Sequence, residues 1–387
     1  MDIAILKRTS RINAGHLWVF SNELDQSPRG LPAGGLVELR DKKDNFFGIG
    51  YCNPNSLISI RILSRERCAI DEAFFIERIT QALAFRKRFI KDTDAYRAVF
   101  SESDALPGLI VDRYADCVSI QLLTLGMDAL ADMVISAVDA VMAPKTIVLR
   151  NDSSARSLEG ISLEKRLVKG LLDPLPIIHD ARTLFEADPL GGQKTGFFLD
   201  QAANRRAFAG LVDKGHALDL FCYSGAWGIK LAEAGATVTG VDASEAAVAQ
   251  ALRNARINGL EERCRFVKSD VFDFVKAEVV AKRAYDNIVL DPPAFVKSKA
   301  KIAEAMRAYK ELNVLCMKIL KPHGLLATSS CSHHIDYPAF MGILRDAARE
   351  AGRRARVIET RSQPPDHPVS LAMPETEYLK CVILEVS

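Results

Sequence analysis

The sequence predicts an α/β chain. Its C-terminal part should be a doubly wound, mostly parallel seven-stranded sheet with an antiparallel last strand, preceded by a small β-barrel and an α+β middle domain. Three observations predict this. After residue 181, apolar strand-like runs alternate five times with helical patterns, the signature of a parallel sheet with crossover helices. The first run, 217–221, feeds a tight turn of small residues, Ser224, Gly225 and Gly228, that opens a helix. Acids stand just past three consecutive strands, at Asp242, Asp270 and Asp291. In an open sheet of this Rossmann-like kind the ligand lies beyond the carboxyl ends of the strands, where such acids converge.

In chain order, residues 1–68 read as a small β-domain. The runs 34–40, 46–51 and 57–63 alternate apolar and polar residues, and polar turns separate them. Trp18 and Phe20 are expected in its core. Residues 71–92 read as one helix: Asp71 can cap it, and Phe74, Phe75, Ile79, Leu83 and Phe89 recur near helical spacing. The middle domain, 71–180, continues with strands at 109–111, 117–123 and 146–149 and a helix at 127–142. It groups few residues of catalytic type.

The last domain, 181–387, carries strands at 217–221, 237–241, 264–268, 286–290 and 324–330, then a closing pair at 355–360 and 378–386. Only a proline-bearing link (Pro364, Pro365, Pro368) joins that pair. With no helix between them, the final strand should run antiparallel to its neighbour.

Composition narrows the class. The chain has 387 residues, 48% hydrophobic and 26% charged, an ordinary globular balance. No stretch approaches the roughly 18 uninterrupted apolar residues of a membrane span. The N-terminal Met1 to Arg8 holds an acid and only a short apolar run, unlike a signal peptide, so the expected location is cytoplasmic, away from membranes. None of the eight cysteines falls in C-x-x-C spacing, which leaves metal chemistry unsupported. The net charge of +2 does not argue for nucleic acid, but its distribution does. Basic residues cluster at Arg86, Lys87, Arg88 and Lys91, at Lys297, Lys299 and Lys301, and at Arg349, Arg353, Arg354 and Arg356. A solvated helix face is the commoner meaning of each run; three together favour a polyanion partner.

Four features carry chemistry. The turn after Asp219, Leu220 and Phe221 leaves backbone N–H groups uncovered at a helix start. Asp242 ends the next strand, and an acid about 20 residues past such a turn is placed to accept from ribose hydroxyls. Structural punctuation is the plain alternative for the turn, since it is not a true G-x-G-x-x-G. In Asp291-Pro292-Pro293-Ala294-Phe295 the prolines end a strand rigidly and hold an acid at its carboxyl end. A simple strand terminator is the alternative there. Cys331, in Thr328-Ser329-Ser330-Cys331-Ser332, sits past the following strand on the same rim as Asp291. A partly exposed thiol of lowered pKa there can add to C6 of a pyrimidine and make C5 nucleophilic. His333 and His334 adjoin it, and Lys297, shortly past the Asp291 motif, is expected nearby. Against this stands the usual fate of cysteine, a buried inert thiol.

These residues resemble class I S-adenosylmethionine-dependent methyltransferases. Together with Arg8 to Arg11, Gly15 to Phe20, Leu106 to Tyr114, the run Gln193 to Asp200 and His367 to Val369, nearly the whole chain resembles the ribosomal RNA large subunit methyltransferase I family, which makes 5-methylcytosine. The resemblance implies a PUA-like RNA-binding domain at 1–68, S-adenosyl-L-methionine as cofactor, large-subunit ribosomal RNA as partner, and a homodimer. It places Phe197, Asp219 and the turn Phe221, Cys222, Tyr223, Ser224, Gly225 around the methionine part. Asp242 would hold the ribose, Asp270 the adenine amine, Asp291 the cofactor side and the target base. Cys331 would be the nucleophile. Many RNA 5-methylcytosine enzymes have a second cysteine after the first proline of the Asp291 motif. Here Pro293 stands in that place, so another group must release the base, with Glu375 a candidate. Two other readings remain. One is a guanine-nitrogen methyltransferase, which needs no cysteine; the other is an RNA-binding assembly factor with a vestigial cofactor site.

Overall fold

The computed structural model describes residues 1–295 and 301–387. They form two compact units. The first gathers Met1–Ala181, Ala187–Leu199 and Pro365–Thr376; the second gathers Arg182–Glu186, Asp200–Pro364 and Glu377–Ser387.

The first unit is built on two five-stranded sheets. In the N-terminal sheet, β1 (Asp2–Leu6), β2 (Trp18–Phe20), β3 (Leu36–Asp41), β4 (Phe46–Cys52) and β5 (Ile58–Ser64) lie in the order β1-β3-β4-β5-β2. The three expected strands are β3, β4 and β5. The two outer strands are too short to show a period in sequence. They are held by pairing, β1 parallel to β3 and β2 antiparallel to β5. Trp18 and Phe20 are half-buried rather than core: the Trp18 indole donates to Glu102 at 2.8 Å, and the Arg11 guanidinium lies 4.6 Å over the Phe20 ring.

The second sheet, from β6 (Ala95–Phe100), β7 (Leu109–Tyr114), β8 (Cys117–Leu122), β9 (Thr146–Asn151) and β10 (Glu164–Lys169), has the order β10-β9-β8-β7-β6. Its core takes Phe74, Phe75 and Ile79 from the long helix Glu72–Phe89, whose first turn Asp71 caps by accepting from the Phe74 N–H at 3.0 Å. Two expectations change here. Phe89 is exposed, while Arg86 of the presumed basic face is buried; it donates to the Asp104 carboxylate and, at 2.8 Å, to the Asp366 carbonyl. The single helix expected at 127–142 is two, Leu125–Ala129 and Ala131–Met142, broken where Leu130 leaves helical geometry.

The second unit holds the seven-stranded sheet. β13 (His216–Leu220), β14 (Thr237–Asp242), β15 (Cys264–Lys268), β16 (Tyr285–Leu290), β17 (Leu320–Ser330), β18 (Ala355–Arg361) and β19 (Lys380–Val386) lie in the order β15-β14-β13-β16-β17-β19-β18. (β11, Ile177–Asp180, closes the first unit's main segment, and β12, Thr183–Glu186, opens the second unit.) The first five strands pair in parallel, and β19 runs antiparallel to both neighbours; the link from β18 holds only the 3-10 turn Pro374–Thr376 and no crossover α-helix. Crossover helices Ala226–Glu233, Glu245–Ile257, Val271–Val280, Ile302–Ile319 and Tyr337–Ala351 cover the faces. A continuous core runs from Leu218, Leu220, Ile288 and Leu290 to Tyr309 and Phe340. β17 begins at Leu320 rather than 324, because a register shift lets Leu320 pair with Tyr285 before Leu325 meets Asn287. β19 begins at Lys380 rather than 378, because the N–H groups of Tyr378 and Leu379 go to the Gln363 side chain.

Among the described residues, no helix is long and apolar enough to cross a membrane. Of the basic clusters, Lys297 and Lys299 lie outside the described residues. Arg353 is a helix-end clamp that donates to the carbonyls of Met317, Leu320, Lys321 and Val386.

Candidate active site at the strand ends

Register decides which residues meet. Leu220 pairs with Val241 on one side and Leu290 on the other, and Leu290 pairs with Thr328. The residues just past these positions therefore emerge together. β13 and β16 are neighbours though far apart in sequence, which makes the gap between them the point where the strand order reverses. That crevice is where an open α/β sheet binds its ligand.

The turn after β13 is strained. Phe221 and Tyr223 have φ of 63° and 47°, and Gly225 has 78°. Non-glycine residues in the left-handed region cost about 1–3 kcal/mol each and persist only where surroundings impose them. Three bonds impose them here. The Cys222 N–H donates to the Val241 carbonyl at 3.0 Å, the Tyr223 N–H to Asp242 Oδ2 at 2.9 Å, and Asn254 Nδ2 to the Ser224 carbonyl at 2.9 Å. Glycine is required at 225: a Cβ there would come within 2.8 Å of the Phe266 ring. The turn thus presents a fixed backbone, and two buried oxygens at it, Asp219 Oδ1 and Ser224 Oγ, have no hydrogen-bond partner among the described residues. Buried polar atoms are rarely left so, and a polar ligand would satisfy them.

Charge says which ligand. Asp219 is fully buried, and its other oxygen accepts from the Gly228 N–H at 2.8 Å. Burial pushes its carboxyl up to about 8, with the fields of Asp291 and Asp242 adding to that. A buried carboxyl beside two further carboxylates, only partly offset by the Gly228 N–H and Arg205, makes a place for a cation. S-adenosyl-L-methionine carries both a sulfonium and an ammonium, and so fits this donor set.

At the next strand ends the surroundings differ. Asp291 is held at both oxygens: Gln201 Nε2 donates to Oδ1 at 2.9 Å, and the Trp227 indole to Oδ2 at 3.1 Å. Asn204 in turn orients Gln201 by donating to its Oε1 at 2.7 Å. Cys331 follows β17 and is half-buried; of the other seven cysteines, six are buried and Cys68 is exposed in the first unit. The Phe295 ring packs 4.9 Å from Tyr309, whose hydroxyl lies 3.1 Å from Ser332 Oγ.

Comparison with known sequences gives the family. A PUA-like domain model matches residues 6–65, and a methyltransferase domain model matches 211–362. Proteins called ribosomal RNA large subunit methyltransferase I are similar along nearly all of the chain. The one from Tolumonas auensis is 37% identical, covering 95% of both chains. That from Shewanella denitrificans is 36% identical over 98% of this chain and 97% of its own. The chain belongs to the ribosomal RNA large subunit methyltransferase I family. S-adenosyl-L-methionine is its cofactor. Among solved structures, a SAM-dependent methyltransferase from Streptococcus mutans aligns with a TM-score of 0.84 over the whole of both chains at 22% identity, a likeness of fold. A methyltransferase solved with SAH bound aligns at 0.84 and 20% identity, again over both chains.

Placed in this family fold, the residues singled out in sequence divide as follows. Asp219, Phe221, Cys222, Tyr223, Ser224, Gly225, Asp242 and Asp291 gather around the crevice. Cys222 is buried, and burial, with Asp219 and Asp242 adding, holds its thiol well above the ordinary value, which leaves it inert as a nucleophile. Asp270 is exposed and caps its helix by accepting from the Asp273 N–H at 3.1 Å. Phe197 belongs to the first unit, buried, its carbonyl accepting from the Tyr114 hydroxyl at 3.3 Å. Glu375, also in the first unit, lies 3.4 Å from His16. Gln201, Trp227 and Lys380 were not singled out in sequence. Trp227 lies inside the conspicuous turn motif and could have been noticed; the other two have no local signal.

Proposed function

We propose that this protein methylates C5 of a cytosine in large-subunit ribosomal RNA through a covalent adduct with Cys331. The observation that carries the reading is the placement of a half-buried thiol past β17, with the doubly held Asp291 carboxylate past the adjacent β16. A guanine-nitrogen methyltransferase needs no thiol on that rim.

In this reading Asp219 and the 221–225 turn face the methionine part of the cofactor, Asp242 the ribose and Asp270 the adenine amine. Phe197 carries its assignment from the resemblance alone. When bound, S-adenosyl-L-methionine supplies a methyl group on a positively charged sulfur. Asp291, fixed by Gln201 and Trp227, orients the flipped base by its polar edge. The Cys331 thiolate forms a bond to C6, and the C5–C6 π pair becomes available at C5. C5 takes the methyl, and the pair of the broken sulfur–carbon bond stays on the donor sulfur. The C5 proton then leaves to a base, its bonding pair re-forms the C5–C6 double bond, and the thiolate departs. The PUA-like domain would hold the RNA.

RNA carrying 5-azacytidine tests this, because the ring nitrogen at position 5 has no proton to lose and the adduct cannot resolve. With cofactor, the wild type should form a denaturation-resistant complex mapping to Cys331, and Cys331→Ala should form none. Cys331→Ala should also lose methylation by a factor on the order of 10³ or more, as removal of a nucleophile does. A Cys331→Ala enzyme that still methylates rRNA, or a methylated guanine as product, overturns the proposal.

A further inference from the structure

The first residue of β19 is Lys380. Its partner across the ladder is Ser330, the residue before Cys331. The side chain is buried, with 7% exposure. Its ammonium donates to the Ser332 carbonyl at 2.7 Å and to the Tyr378 carbonyl at 2.9 Å, so it bridges the residue after the thiol to the start of its own strand. An ammonium has three protons, and these bonds use two. Among the described residues no carboxylate pairs with it. A buried cation held only by carbonyls is costly unless an anion stands nearby.

The groups facing this place can be named. On the loop itself are Cys331, His333 and His334. Asp336 caps the following helix, Tyr309 reaches across from Ile302–Ile319, Asp291 lies past β16, and Glu377 and Tyr378 precede β19. Burial lowers the readiness of Lys380 to hold its proton; Cys331 is the foremost group acting the other way, ahead of Glu377 and Asp336. Asp336 is engaged by the Ala339 N–H at 2.8 Å, and Glu377 is exposed.

We infer that Lys380 is a positioning residue whose ammonium is the standing counter-ion of the Cys331 thiolate, readying the sulfur for attack and stabilising it again as it departs. This rests on the reading of Cys331 as nucleophile. A thiol of lower pKa also leaves faster, while the C5 proton still goes to a separate base.

The test is the pH dependence of iodoacetamide alkylation at Cys331, read by peptide mass spectrometry on the full chain without RNA. In the wild type the alkylation midpoint should lie at least one pH unit below that of an ordinary thiol, about 8.5. Lys380→Gln keeps a donor for the carbonyls but removes the charge. It should raise the midpoint by a unit or more and slow alkylation at neutral pH about tenfold. Lys380→Arg should recover most of the rate. A wild-type midpoint at the ordinary value, or equal midpoints in wild type and Lys380→Gln, overturns the inference, and the wild-type measurement decides even if the variant fails to fold. Either result leaves the adduct experiment on Cys331→Ala unaffected, so the two readings fail separately.

Discussion

Two strand ends of one sheet, the turn after β13 and the loop after β17, are built to opposite electrostatic specifications. At the first, Asp219, Asp242 and Asp291 crowd together, and the Asp219 carboxyl is raised by its burial and by the fields of the other two, which the Gly228 N–H and Arg205 offset only in part. At the second, a buried lysine donates to the residue after a half-buried thiol, and burial, with Lys380 adding, holds nearby His333 toward its neutral form. In the proposed function the same backbone geometry, a parallel strand ending at a crevice, would serve a cationic ligand in one place and a developing anion two strands away. Asp291 is the shared member: its charge reaches Asp219 on one side and Tyr309 of the thiol's surroundings on the other. Methyl transfer from a sulfonium to an activated ring needs this division, since donor and nucleophile carry opposite charge and must meet at one point.

The largest test of the division is at that shared residue. Asp291→Ala removes the acceptor of both the Gln201 and Trp227 donors and should cut methylation by about 10²–10⁴, the range of a lost polar catalytic group. Cofactor affinity, measured by calorimetry, should fall far less than the rate. A rate loss matched by an equal loss of affinity would put Asp291 wholly on the cofactor side.

Asp242 belongs to the acidic end alone. Asp242→Asn keeps an oxygen for the Tyr223 N–H but discards the charge that the proposed function assigns to the ribose hydroxyls. A hydrogen bond to a charged group contributes about 1.5–3 kcal/mol, so S-adenosyl-L-methionine should bind on the order of tenfold to a hundredfold more weakly. Alkylation of Cys331 should not change. An unaltered dissociation constant would remove Asp242 from the cofactor site.

The sheet was legible because its strands are apolar runs ending in Asp or Gly, and the parallel order follows from the helices between them. The acids of the crevice were legible for the same reason: a strand's end can be read locally, and register aligns neighbouring ends. What could not be read is what distant segments contribute. Gln201 meets Asp291 across 90 residues, and Lys380 reaches Ser332 across 48. Arg86 and Arg353 looked like members of charged faces because sequence shows a side chain's charge and not its partner. β1 and β2 had no period long enough to detect; their neighbours in the sheet define them.

The effect expected at Asp219 concerns stability rather than activity. In the unfolded chain this carboxyl ionises near 3.8; in the folded one it does so near 8. Between those values the folded protein binds a proton that the unfolded chain has lost, so stability falls as pH rises across that window and levels off above it. The slope is at most about 1.4 kcal/mol per pH unit. Asp219→Asn retains an acceptor for the Gly228 N–H and has nothing to ionise. The variant should therefore gain in melting temperature over the wild type as pH rises from about 6 to about 8. Saturating S-adenosyl-L-methionine should narrow the gap, because its positive charge stabilises the ionised wild-type carboxylate and has nothing to act on in the variant. A gap that ignores pH would mean the buried carboxylate is already neutralised within the fold, and the acidic end would then need no cation to complete it.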